Sequence, residues 1–328
     1  MKLAAFLFVA ALVLIVLLAW MELGRPFLLV LDDGKTNFLQ GVESYLKDHN
    51  LRYDVVTVRI DVDQAELESV LRKYQNSYAV GPRLSSEAQR LIPLLEKFKI
   101  FAIAPLVTSY RVVGKSSYLM TLSPTDEEQG RQIAEKLRVE GCQRVLLVAD
   151  KLNPVHSETI EESLKRYLSV EHFETRQIES IDELLDEDFD RYDGLVFALD
   201  GRKAGIVAQL ARKKGFSGTL LGSDYAFTDD LIMAGGPAVE GMILCCLFDY
   251  ETMLRSGISD MQVAGSYDAT MIIADLKRNR VSQHEAASYL RGRTFEGVTG
   301  RFSVNFDLSA SRNLTFVRVT DGRFEIER

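Results

Sequence analysis

Residues 78–109, YAVGPRLSSEAQRLIPLLEKFKIFAIAPLVTS, restrict the fold more than any other part of the chain. Two apolar runs, 78–80 and 100–104, flank a segment in which Ala88, Leu91, Ile92, Leu95 and Phe98 recur at helical spacing. This reads as strand, loop, helix, strand, loop. Two parallel strands joined by one crossover helix bring their C-terminal loops to the same edge of a sheet. The first loop holds Ser85 and Ser86, and the second runs through Leu106 to Thr108 and Ser109, so four hydroxyls are expected to converge. Ser86 and Gln89 are spaced as a capping box, which sets the free N–H groups of the first helical turn beside those hydroxyls as an anion-holding corner.

The same alternation recurs on either side. Before the stretch come strand-like runs at 27–31 and 54–58, with helical patterns at 38–46 and 65–74. After it, strands are expected at 144–149, 173–178, 194–199 and 219–221, with helices at 158–168 and 204–214. Two successive open α/β series describe two lobes of parallel sheet covered by helices. A chain of 328 residues is long enough to give each a core.

Residues 3–21 are nineteen positions without a charge, about 28 Å as a helix, close to the hydrocarbon thickness of a bilayer. No small-x-small cleavage site follows, and no cysteine stands near for lipid attachment. Residues 1–24 therefore read as an uncleaved transmembrane anchor with Lys2 inside and the remainder outside; a long signal that is removed is the competing reading. The net charge of −8 and the lack of a basic cluster exclude a nucleic-acid binder. Cys142, Cys245 and Cys246 form no metal or disulfide spacing and read as buried small hydrophobes. Four scattered histidines and the absence of nucleophile-elbow, phosphate-loop, dinucleotide and zinc-protease motifs give no enzyme and no cofactor.

Several short motifs resemble the type I periplasmic solute-binding proteins of ABC transporters, nearest the branched-chain amino-acid (leucine/isoleucine/valine) group. Gly81-Pro82-Arg83-Leu84-Ser85-Ser86 and Ala104-Pro105-Leu106-Val107-Thr108-Ser109 are similar to that group's two ligand loops. Gln40-Gly41-Val42-Glu43, the run 123–130, Ala238-Val239-Glu240-Gly241, Tyr267-Asp268-Ala269 and the run 295–307 are similar to its framework. The resemblance implies two doubly wound lobes joined by a multi-strand hinge, residues 26–121 plus 249–307 and residues 122–248 plus 308–328. It implies a small amino-acid-like ligand whose carboxylate meets Ser85, Ser86, Thr108 and Ser109 and whose ammonium meets Asp224, with Leu106 and Tyr225 beside it. The ligand would pass to an ABC transporter permease, and the lobes would be extracytoplasmic, periplasmic or extracellular.

The sequence departs from that pattern in three places. The loop at 32–37 is short, which removes part of one cleft lip. The loops at 150–156 and 199–201 lack the group's usual aromatic residues, so both aromatic walls are expected to be missing. Asp200 is placed at the cleft as added negative charge, with a solvated loop acid as the alternative, and His156 reads as a lone exposed histidine, with contact to a ligand as the alternative. These departures keep a second reading open, a membrane-tethered sensor or interaction module with a degenerate cleft.

Overall fold

Leu28, Leu29, Val30 and Leu31 are all fully buried, so both faces of the first strand are covered, as a near-continuous apolar run requires. The computed structural model describes residues 27–327, and the expected membrane anchor lies outside them. Among the described residues no helix is long and apolar enough to cross a membrane.

The first sheet is built from β1 (Phe27–Asp32), α1 (Phe38–Asp48), β2 (Asp54–Arg59), α2 (Gln64–Arg72), β3 (Tyr78–Val80), α3 (Ser85–Phe98), β4 (Phe101–Ala104) and β5 (Leu119–Thr121). Its five strands run parallel in the order β2-β1-β3-β4-β5. The order reverses direction at β1 and β3, which leaves their C-terminal loops side by side, the position at which open α/β sheets bind ligands.

The second series is α4 (Asp126–Val139), β6 (Arg144–Asp150), α5 (Pro154–Tyr167), β7 (His172–Ile178), β8 (Gly194–Ala198), α6 (Gly201–Lys213), β9 (Thr219–Gly222), α7 (Asp229–Gly235) and β10 (Ile243–Cys246). The chain then adds α8 (Tyr250–Arg255), α9 (Met261–Arg278) and α10 (Ala286–Leu290), followed by a small sheet of β11 (Thr294–Gly297), β12 (Gly300–Val304) and β13 (Ala310–Ser311). It ends in β14 (Thr315–Thr320) and β15 (Arg323–Ile326). These two pair antiparallel against β10, so the second sheet is seven-stranded and mixed, β15-β14-β10-β9-β8-β6-β7. The expected parallel lobe is corrected only at that edge: β14 reaches β10 after the long excursion through α8, α9, α10 and the small sheet and runs against it, and β15 returns from β14 by a tight hairpin, which can only be antiparallel.

One local expectation also fails. Helix α3 begins at Ser85 with Leu84 in the capping place, and the Glu87 carboxylate reaches back to accept the Leu84 N–H at 2.9 Å. The Ser86 hydroxyl is spent elsewhere, so the expected Ser86–Gln89 box does not form.

The chain passes three times between the sheets, and the turn before β12 ties two of those crossings, before α8 and before β14, to α9. Asp268 on α9 accepts the N–H groups of Val298 and Thr299 at 3.0 and 2.9 Å. Gly300 has φ +91°, a backbone that favours glycine, and a Cβ there would press on Asp249. The Thr299 carbonyl accepts from the Asp249 N–H at 3.2 Å and from Arg312 Nη1 at 3.2 Å. Arg312 is held between the rings of Phe248 and Phe302, 4.9 and 4.3 Å from their centroids. All three cysteines are free and buried.

Gly41 is where α1 meets α9, and a Cβ there would run into Ser266 Oγ and the Val263 carbonyl. Gly41→Ala is expected to destabilise the protein by about 1–3 kcal/mol, because a fixed backbone carbonyl outweighs the gain in helix propensity. Urea unfolding measures this, and an unchanged midpoint would mean that the two helices pack less closely than described.

Candidate functional site

The C-terminal edges of the two sheets face each other across a cavity of about 320 Å³. Of the eight residues expected at a ligand site, Ser85, Leu106, Thr108, Asp224 and Tyr225 line it. Thr108, after β4, and Asp224, after β9, come from opposite sheets and share this one space.

The other three are placed differently. Ser86 turns across the gap, its Oγ donating to Asn153 Oδ1 at 3.0 Å. Ser109 is fully buried in a turn, its Oγ accepting the Arg111 N–H at 3.2 Å while its own N–H donates to Ser85 Oγ at 3.3 Å. Two hydroxyls rather than four therefore face the cavity. Asp200 caps α6 by accepting the Lys203 N–H at 3.0 Å and is not among the lining residues, so its carboxylate serves the helix start.

His156 overturns the expectation of an exposed side chain. It lies on the first turn of α5, is 2 % exposed, and lines the cavity floor. Its Nδ1 is 3.1 Å from Asp126 Oδ1 and 3.3 Å from Thr108 Oγ1, while Nε2 is 3.3 Å from Ser223 Oγ and 4.0 Å from Asp224 Oδ1. Burial alone would push the imidazole down, but Asp126 in contact, with Asp224 beyond, pulls it up to about 9. It is an imidazolium at neutral pH. Asp224 is pushed up to about 6 by burial, against which His156 and Gln129 act. Gln129 clasps it twice, Nε2 donating to Asp224 Oδ1 at 2.8 Å and Oε1 accepting the Asp224 N–H at 3.0 Å. Among the described residues Asp224 Oδ2 has no hydrogen-bond partner, so one carboxylate oxygen remains for a guest.

Ser223, His156 and Asp126 are connected in the order of a hydrolytic triad, but the chemistry does not follow. A general base must be unprotonated, and Ser223 is fully buried and outside the cavity lining. Asp126, His156 and Asp224 also offer ligand atoms within 4.8 Å of one another, the donor set of a cation site. Both imidazole nitrogens already lie at hydrogen-bond distance from Asp126 and Ser223, and the proton on His156 supplies the positive charge those carboxylates need.

The missing aromatic walls are replaced from other places. Tyr225 stands edge-on to His156, ring centroids 5.9 Å apart, and Phe227 and Phe324 lie 4.5 Å apart beside it. The short loop after β1 is tied to the start of α9, the Asn37 N–H donating to Gln262 Oε1 at 2.9 Å and Asn37 Nδ2 to Asp260 Oδ2 at 2.6 Å. That contact supplies the lip the loop itself lacks. At the rim, Arg111 forms ion pairs with Glu158 and Glu162, and Tyr110 donates to Glu162.

No protein-family model and no curated protein matches the sequence. Solved structures do. A leucine binding protein from Thermotoga maritima is 16% identical, with 93% of this chain and 98% of that chain covered and a TM-score of 0.80. A branched-chain amino acid transporter substrate binding protein from Streptococcus pneumoniae, solved with isoleucine, is 17% identical over 92% of this chain and 97% of that one, TM-score 0.79. A solute binding protein from R. palustris, solved with benzoate, is 14% identical over 92% and 95%, TM-score 0.76. The chain has the type I periplasmic binding protein fold, and at these identities the likeness is one of fold.

Because His156 holds its proton to about 9 in the folded state and the unfolded side chain releases it near 6.5, its stabilisation is complete below about 6.5 and is lost as pH rises through 9. The amount is on the order of 3 kcal/mol. Urea midpoints of the wild type minus those of His156→Gln are expected to shrink between pH 6 and 9.5; a difference that does not change with pH would contradict the imidazolium.

Proposed function

We propose that the protein is an extracytoplasmic solute-binding protein that closes two lobes on a small amino-acid-like ligand and hands it to an ABC transporter permease. On this reading residues 26–121 plus 249–307 form one lobe and residues 122–248 plus 308–328 the other. The uncharged run at 3–21 tethers them to the membrane. The reading has no catalytic step and no nucleic-acid partner.

The observation that carries it is the shared cavity. Ser85, at the start of α3, and Thr108 offer neutral hydroxyl donors suited to a carboxylate, while Asp224 offers a negative oxygen suited to an ammonium. A zwitterion touching both favours the closed arrangement, since a ligand shifts a conformational equilibrium only by binding one state better. The similar proteins from T. maritima and S. pneumoniae are described as binding leucine and as holding isoleucine, and the R. palustris protein as holding benzoate, all small carboxylates.

Calorimetric titration with a panel of amino acids and small carboxylates tests the reading. At least one amino acid is expected to bind, and Asp224→Asn to weaken it about a hundredfold by removing a desolvated charge. A folded protein that ignores the whole panel at millimolar concentration would defeat it. Affinity is also expected to fall about tenfold between pH 7.5 and 5, since Asp224 must be ionised to hold an ammonium and takes up its proton near 6.

A further inference from the structure

Arg83, far more buried than Lys35, the exposed lysine on the same lining, is a cavity-lining cation that an unadorned aliphatic amino acid leaves unused. It stands on the loop between β3 and α3, two residues before Ser85, so the two Cα atoms are at most about 7 Å apart. Its Nη2 donates to Asp33 Oδ2 at 2.7 Å, and only 14 % of the Arg83 side chain is exposed. Its Nε is buried and has no hydrogen-bond partner. The guanidinium lies 6.0 Å from the ring centroid of Tyr225 on the opposite sheet. A buried N–H without an acceptor is unfavourable, and a ligand atom arriving in the cavity can relieve it.

The acidic residues nearby do not answer this donor. Asp229 and Asp230 at the cavity mouth are exposed, and their field is screened by water. Asp260 spends its carboxylate on the Gln262 and Val263 N–H groups and on Asn37. Asp33 is paired with Arg83 already. Glu87, beside it, is raised to about 7, by burial first and by Asp33 second, so it carries only part of a charge at neutral pH and does not cancel the guanidinium a second time. A guanidinium with an unpartnered Nε–H suits an anionic oxygen, and on an amino-acid ligand that oxygen is a carboxylate's.

We propose that Arg83 binds a second carboxylate on the ligand, which makes the cleft selective for a dicarboxylic amino acid of the aspartate or glutamate type over a branched-chain one. The first carboxylate stays with Ser85 and Thr108, and the second, a few carbon atoms away, meets Arg83 under Tyr225. This rests on the amino-acid reading above and narrows it.

Calorimetry of the full chain with aspartate, glutamate, glutamine and leucine decides it. The better of the two acids is expected to bind at least tenfold more tightly than glutamine or leucine. Arg83→Met is expected to cut that preference at least tenfold, and Arg83→Lys, which keeps the charge but not the fork, to restore part of it. Thermal melts establish that each variant folds; if Arg83→Met does not, the wild-type ranking and Arg83→Lys carry the test. Leucine or glutamine binding the wild type as tightly as both acids would overturn the inference and leave the solute-binding reading standing. Binding of no amino acid at all would sink both.

Discussion

Asp126, His156 and Asp224 are each no more than 7 % exposed, and three ionisable groups cannot be withdrawn from water together unless their charges answer one another. Here a protonated imidazole stands between two carboxylates, with Gln129, Ser223 and Thr108 satisfying what remains. The array fixes the cavity floor. It holds Asp224 in one rotamer with one oxygen directed away from Gln129, and it meets the opposite sheet through Thr108. Replacing such an array with apolar side chains would often cost nothing in stability, so stability alone does not account for its presence at a cavity.

The framework was largely legible from residue pattern. Parallel strands buried on both faces leave continuous apolar runs, and helices laid over them leave apolar residues at three- and four-residue spacing, so β1, β6, β8 and the helices between them could be placed to within a few residues. β14 and β15 are legible as strands at 314–319 and 324–326 that complete a lobe, but their antiparallel addition to β10 is not. Nothing in Thr315–Thr320 says which edge it joins, because pairing is decided by what the rest of the sheet leaves open. The Phe-Glu-Gly-Val-Thr-Gly run was visible as a motif, but its role appears only when Asp268 and Arg312 are seen converging on Thr299.

The site was half legible. Thr108 and Asp224 follow from the rule that C-terminal strand loops share an edge, combined with the resemblance of the loops around them. His156 is legible as a residue that could reach a ligand, from its place on the first turn after β6 at the same edge, but not as a buried one, because burial is a tertiary property. Asp126 and Gln129 sit three apart on one helix face, in a run noticed only as a connection between lobes. Phe324 was invisible, since a side chain from the last strand reaches the cavity through a pairing the sequence does not announce. Arg83 falls inside the Gly81–Ser86 motif, which assigns it no role, because an unpartnered nitrogen is a fact about surroundings.

The rim contacts of Arg111 and Tyr110 with Glu158 and Glu162 hold the two sheets together from outside the cavity, where the guanidinium and both carboxylates are more than a third exposed. Exposed pairs of this kind contribute little each and weaken as ionic strength rises, with a Debye length of about 8 Å at physiological salt. They can act as a latch of adjustable grip. In a dilute medium the jaws would spend longer shut without a guest, and in a saline one they would gape more often. If the protein closes on a ligand as proposed, the threshold at which it does so would follow the salinity of its surroundings.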